Sequence, residues 1–325
     1  MPESSAATAR ESNLRLYQAE LLLVGVMLVW ALNFPVTKWA IGDATREGMN
    51  IFAFNAIRYV FAGASIVVVF FLQRRAWQRV GAGDWKRLLG LGLIAHVFYQ
   101  MAFTVGLSKT TAGNSAILVS TSPLWTVLFT SLLHKERVRR AALGGMGLSL
   151  AGIVMIVVGS GKKIEFGSEA VTGDLITLAA AMLWALNTSI QKPLVARYPS
   201  TQVALVAVGV GALALPLAGA PAMTTMDWGG FTLWHYAAAM ASGALSIGLA
   251  NVVWSHAVKK IGPSQTANFN NLVPVLAFVV SYFLLKENYT RSQLVGAAVT
   301  LCGVWLARGS ANANVAPVKS GLPNA

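Results

Sequence analysis

Two tetrapeptides offer the first chemistry in this sequence: Trp30-Ala31-Leu32-Asn33 and, 154 residues later, Trp184-Ala185-Leu186-Asn187. On a helix, the indole and the amide of each lie one turn apart on one face. An indole stacks on flat groups, and a carboxamide both donates and accepts hydrogen bonds. The plainer use of such a pair is a polar contact between packed helices. Two more stripes mix rings with polar groups: His96 with Tyr99, Gln100 and Phe103, and Asn251 with Trp254 and Ser255. The histidine is open to proton transfer, to cavity lining or to plain packing. A third set surrounds two prolines, with Ser120, Ser122 and Trp125 about Pro123, and Asn268, Asn270 and Asn271 ahead of Pro274. Each proline frees a carbonyl four residues earlier, at Val119 and Asn270, and bends its helix. Three asparagines in four residues must face protein or water.

Among cations, Arg58 interrupts an apolar run, and Lys38 recurs as Lys192 at the same 154-residue spacing. Arg58 suits either a pairing with backbone carbonyls or the attraction of a substrate carboxylate. The lysines suit interfacial anchoring, helix capping or a gate. The 12 acidic residues fall in tails, loops or the end turns of apolar stretches. No buried carboxylate is therefore expected to bind a lipophilic cation or carry a coupling proton. Walker, GxSxG, HExxH and CxxC patterns are absent, so no nucleotide hydrolysis, metal or cofactor is supported and no enzymatic activity is expected. The lone Cys302 excludes an intrachain disulfide.

The elements that must hold these groups follow from composition. The chain is 55% hydrophobic and 11% charged, where a soluble domain has roughly 25% charged residues. Apolar stretches of spanning length lie near 20–41, 51–72, 87–108, 112–134, 141–160, 173–195, 201–220, 235–258, 264–285 and 291–308, the seventh interrupted by Pro216. This divides the chain into a tail (1–19), a five-helix unit (20–160), a linker (161–172), a second five-helix unit (173–308) and a tail (309–325). Ten spans put both termini on one side. Of the 25 basic residues, 17 fall on that side, 7 on the other, and Arg58 lies between. Lys and Arg stay on the cytoplasmic face, so both termini are expected there. The net charge of +13 then needs no nucleic acid to explain it.

The tetrapeptide match belongs to an ordered set. Further along the spacing becomes 151, pairing Lys109 with Lys260, Pro123 with Pro274, Lys135-Glu136 with Lys286-Glu287, Gly145 with Gly296 and Gly152 with Gly303. A unit of five helices is odd, so the second copy sits upside down relative to the first. Inverted repeats of this kind mark transporters that alternate access around a site between the copies.

Ten helices in two such repeats, with Leu-Val-Trp-Ala-Leu-Asn-Phe-Pro opening the first copy, Ser-Pro-Leu-Trp-Thr in the fourth helix and Lys-Glu closing the fourth and ninth, resemble the EamA branch of the drug/metabolite transporter superfamily. Within it the layout is similar to the YddG-type bacterial exporters of aromatic and other amino acids. The resemblance implies an all-α integral membrane protein of the bacterial cytoplasmic membrane, acting as a monomer. It implies a small-molecule substrate, an amino acid or similar metabolite, with membrane lipids as its surroundings. Export of drugs, purines or other toxic metabolites is the alternative, and a membrane-embedded enzyme or lipid-handling protein is the reading from another class. The substrate cavity is expected to draw on Trp30, Asn33, His96, Tyr99, Ser120, Ser122, Trp125, Trp184, Asn187, Asn251, Trp254, Asn268 and Asn271. Pro123, Pro274, Lys38 and Lys192 are expected to act as hinges or gates.

Overall fold

The computed structural model describes residues 2–42, 48–134, 140–159, 168–261, 266 and 269–312, and within them it is helical with no strand. Ten rods follow one another. The first unit holds α1 (Pro2–Ile41), α2 (Ile51–Gln73), α3 (Ala82–Lys109), α4 (Ala112–Leu133) and α5 (Arg140–Gly159). The second holds α6 (Glu169–Arg197), α7 (Ser200–Thr225), α8 (Leu233–Ile261), α9 (Leu272–Leu285) and α10 (Arg291–Asn312). Seven of them, α1 to α4 and α6 to α8, are long and apolar enough to cross a membrane, and α5 and α9 carry shorter apolar stretches. Polar residues set the starts. Asn50 accepts from the amides of Phe52 and Ala53, Thr111 from Asn114 and Ser168 from Val171, each satisfying N–H groups that a first turn leaves open.

Several limits differ from expectation, among them the start of α9, which lies at Leu272 where the sequence predicts a span from 264. Residues 2–19 continue α1, and α10 runs on to Asn312. Pro216 does not interrupt α7, which passes through both Pro216 and Pro221. A chain surrounded by lipid has no better partner for its backbone than its own helix, so proline is accommodated within it. Residues 43–47, residues 135–139 with Lys135-Glu136, residue 160, most of the expected linker (161–167) and the end of the second tail (313–325) lie outside the described residues.

The packing repeats with the sequence. Exchanging the two units turns the contact of α3 with α6 into that of α8 with α1, α2 with α8 into α7 with α3, and α1 with α9 into α6 with α4. All of these pairs pack together, and α2 with α7, α4 with α9 and α5 with α10 pack across the axis that relates the copies. The surface carries many large apolar side chains: Leu72, Leu213, Leu217, Phe283 and Trp305 all project outward. Water would penalise that arrangement and hydrocarbon does not.

The α5–α10 crossing explains the paired glycines. A side chain at Gly303 would run into the backbone of Ser149 and Gly145, one at Gly152 into Thr300, and one at Gly296 into Gly152 and Ile156. Small residues let helix backbones approach in a bilayer, where lipid removes the hydrophobic drive for association. The Lys-Glu pair has an equally local role. Lys286 ends α9 in the left-handed region, at φ 55°. This aims Glu287 at the start of α4, where its carboxylate accepts from the amides of Ala112 (2.8 Å) and Gly113 (3.2 Å).

Replacing Gly303 with Leu is expected to lower the stability of the detergent-purified protein by roughly 1–3 kcal/mol, the usual cost of overpacking. Gly209→Ala, at a glycine with open space around it, is expected to be neutral. Thermal unfolding followed by circular dichroism separates the two.

Candidate functional site

Four interruptions of helical hydrogen bonding surround the middle of the bundle, and they come in two repeat-related pairs. In α3, residues Ile94–Phe98 widen into a π turn, and in α8 the same happens over Ser242–Leu249. The 151-residue spacing superimposes the first on the end of the second. In α4 the helix pauses at Thr121, between Ala112–Ser120 and Ser122–His134. At the matching place in the second unit a 3-10 turn, Phe269–Asn271, leads into α9. The prolines account for the second pair, and the π turns for the first, such turns being frequent at functional sites.

These interruptions border a cavity that, with the solvent-open space at its mouth, holds about 590 Å³ of empty space. Its walls come from α1 (Trp30, Asn33, Phe34), α2 (Arg58), α3 (Tyr99, Gln100, Phe103), α4 (Ala116, Val119, Ser120), α6 (Trp184), α8 (Ser246, Ile247, Asn251) and the approach to α9 (Asn270, Val273). Aromatic rings dominate. Trp30 and Trp184, repeat mates, meet edge to face at 5.4 Å, and both pack on Trp254 at 5.2 and 5.5 Å. Tyr99 extends the cluster to Phe103 and leans on Trp184 at 5.1 Å. The Trp30 indole donates to the Ser246 carbonyl at 2.9 Å, taking up an acceptor of the π stretch and fixing the ring.

Arg58 is the cation of the wall. Its side chain is 1% exposed, and Nη1 donates to Asn55 Oδ1 (3.1 Å) and Gln100 Oε1 (3.4 Å). Asn55 is itself fixed by donating to Thr104 at 2.8 Å. The guanidinium also lies 5.3 Å from the centre of the Phe54 ring, within cation–π range. A side chain at Gly243 would collide with the Arg58 carbonyl, so the π stretch of α8 rests directly on this part of α2. Among the described residues no carboxylate pairs with Arg58. Three lining atoms have no partner within the protein: Arg58 Nε, Ser246 Oγ and Asn270 Oδ1. One donor belonging to a cation, one hydroxyl and one acceptor are thus buried without a partner in residues that line a mainly aromatic space.

Of the residues singled out from the sequence, Trp30, Asn33, Tyr99, Ser120, Trp184 and Asn251 line this cavity. Trp254 lies directly behind its rings. Asn187 is buried away from the wall, although its mate Asn33 accepts from Thr37 and Ser242 at the wall. His96 points elsewhere, with Nδ1 3.0 Å from the Tyr59 hydroxyl and its Cβ against Gly211 of α7. Ser122 is buried beside the break in α4, and Trp125 donates to Thr121 at 3.3 Å. Asn268 lies outside the described residues, as does the side chain of Asn271. Pro123 and Pro274 sit just past the two proline-linked interruptions. Lys38 is buried and donates to the carbonyls of Leu107 (2.9 Å) and Ser108 (3.0 Å), capping α3, while Lys192 is exposed. Asp174, read as an end-turn residue, is buried one turn inside α6, where it accepts from Thr110 at 2.5 Å, away from the cavity.

Sequence reasoning left Phe34, Gln100, Asn270 and Arg58 out of the cavity wall. Gln100 was legible, being next to Tyr99 and one turn before Thr104. The sequence leaves Arg58 between backbone pairing and attraction of a substrate carboxylate, with only its improbable place in an apolar run to mark it.

The family model described as "EamA-like transporter family" matches residues 18–158 and again 171–309. The chain is 28% identical over 284 residues to a "Probable terminal-alkyne amino-acid exporter" of Streptantibioticus cattleyicolor, covering 86% of this chain and 92% of that one. It is 26% identical to a "Probable amino-acid metabolite efflux pump" of Salmonella typhimurium, with 86% and 91% covered. An uncharacterised transporter of Archaeoglobus fulgidus matches at 26% over 89% and 96%. A solved crystal structure, 22% identical, shares the fold with a TM-score of 0.62 over 89% of this chain and 98% of that one.

The Asn55–Arg58–Gln100 cluster makes a stability prediction. Asn55→Leu leaves the buried guanidinium short of an acceptor and is expected to cost roughly 1–3 kcal/mol. The same change in an Arg58→Met background is expected to cost less, and a thermal-unfolding double-mutant cycle measures the difference.

Proposed function

Since the chain belongs to the EamA-like transporter family, we propose that it exports amino acids, aromatic and other neutral ones, across the bacterial cytoplasmic membrane by alternating access. As a member of that family it is a multi-pass membrane transporter and not an enzyme. The observation that carries the finer reading is the cavity itself, in which an indole and phenol cage adjoins one guanidinium and several amides. An amino acid with an apolar side chain divides in the same way, into a part that stacks and a part that hydrogen-bonds. The relatives named for amino-acid and amino-acid-metabolite efflux support that substrate class.

The proposed cycle uses the four interruptions as bending points. Closing one end and opening the other requires helices to change direction near the site, and a segment already lacking part of its hydrogen-bond ladder bends at lower cost. Pro123 and Pro274 are the proposed hinges, with Lys38 and Lys192 near helix ends as gate elements. With no carboxylate on the cavity wall among the described residues, transport follows the substrate gradient or a coupling other than a buried Asp or Glu. Orientation follows from the basic residues, with both termini cytoplasmic.

Expression in a bacterial host is expected to raise the concentration of p-fluorophenylalanine that stops growth. Trp30→Ala is expected to remove most of that protection, and to lower counterflow of phenylalanine in proteoliposomes by about 3- to 10-fold, the worth of one stacking partner. Protection that is unchanged by Trp30→Ala, with the protein present in the membrane at equal amount, would count against the cavity as the route. Failure of aromatic and aliphatic amino acids alike to exchange would refute the substrate class.

A further inference from the structure

We infer that the cavity recognises its substrate as a carboxylate, through Arg58, and does not require a positive charge on the substrate's amine. Free amino acids are then only part of the range, which extends to amphipathic monocarboxylates such as N-acylated amino acids. This rests on the export reading above and narrows the chemistry of the same site.

The argument begins with the cost of Arg58. Removing a guanidinium from water is expensive unless its charge and its donors are met. Here the side chain is 1% exposed, and the groups that hold it are neutral: two amide oxygens and the face of Phe54. They fix its position and leave its charge uncompensated. The Nε–H has no partner in the protein, although it belongs to a group lining the cavity. A planar cation with a free N–H suits a carboxylate, which offers an acceptor oxygen and the missing charge.

The other half of an amino acid meets different chemistry. An α-ammonium group would be matched best by a carboxylate on the wall, and the described lining residues include none. What the wall provides is two neutral groups without a partner, Asn270 Oδ1 and Ser246 Oγ, and aromatic rings. Asn270 Oδ1 can accept an N–H from an amide as well as from an ammonium. The site therefore accepts a group that donates a hydrogen bond without requiring it to carry a formal charge. Recognition is asymmetric: the anion meets a full opposite charge, while the nitrogen meets only neutral acceptors and aromatic rings.

The test uses proteoliposomes holding the full-length protein and radiolabelled phenylalanine, with four unlabelled competitors: phenylalanine, N-acetylphenylalanine, 3-phenylpropionate and phenylalaninamide. N-acetylphenylalanine is expected to compete within about threefold of phenylalanine, 3-phenylpropionate more weakly for want of the N–H, and phenylalaninamide at least about tenfold more weakly, the worth of one charge-assisted contact. Arg58→Gln is expected to bring phenylalanine and phenylalaninamide to equal potency, and Arg58→Lys to keep part of the preference. Direct binding to the detergent-purified variants, by thermal shift, gives the same comparison where a variant transports poorly. Equal competition by phenylalanine and phenylalaninamide in the unaltered protein would overturn the carboxylate inference while leaving amino-acid export intact. Binding of N-acetylphenylalanine and 3-phenylpropionate without exchange of any free amino acid would leave the inference standing and overturn amino-acid export. If none of the four bound, both would fall.

Discussion

Lipid offers no hydrogen bonds, so a chain that crosses it must satisfy its backbone from within, and every departure from a regular helix needs shelter from hydrocarbon. That constraint organises this protein. Its four interruptions, two π turns and two proline-linked pauses, are gathered around one internal space rather than scattered along the rods. The loosened backbone also becomes useful there. Trp30 takes the carbonyl of Ser246 in the π stretch, so the same irregularity that weakens α8 fixes an aromatic wall. The periphery shows the converse. Helices α5 and α10 contribute nothing to the cavity, are regular throughout their described length, and pack through glycines.

A second consequence concerns polarity. Since the outside of the bundle must be apolar, polar side chains have only the interior to occupy. Asn55, Thr104 and Gln100 form a connected set there, each anchored to another residue, and they hold Arg58 in one place. A cation held by neutral acceptors in a low-dielectric setting carries a field that water does not screen. Rigid support and missing neutralisation are different properties of that cluster. The first belongs to the folded protein, and the second is what we propose a ligand supplies.

The scaffold was legible in the sequence because lipid makes hydropathy decisive. Span limits fall within a few residues of those expected for most rods, and the paired prolines mark places where α4 and the approach to α9 are irregular. The residues facing the cavity were less legible, and α3 shows why. A constant helical period places His96 on the same face as Tyr99, Gln100 and Phe103. The π turn at Ile94–Phe98 adds a residue to that turn and rotates everything before it, so His96 faces Tyr59 and α7 while the other three face the cavity. The segment Ile-Ala-His-Val-Phe contains neither proline nor glycine, so nothing in it announces the change of register. Arg58 was visible as an oddity, but its neutral partners lie on another turn and another helix. The lack of a nearby carboxylate is a property of the folded arrangement.

Symmetry and its absence divide the work. The repeat-related interruptions make the two ends of the cavity mechanically alike, as the proposed alternation requires. The side chains are not alike. Asn33 reaches the wall and Asn187 does not, and the position matching Arg58 by the first spacing is Ala212. Two guanidiniums within this one cavity would repel at short range without screening, and would call for two anions in place of one. Under the carboxylate proposal, Arg58, the one cation among the described lining residues, matches a ligand with one carboxylate. In the function proposed above, the duplicated unit supplies the motion, and Arg58, which the second copy lacks, supplies the recognition.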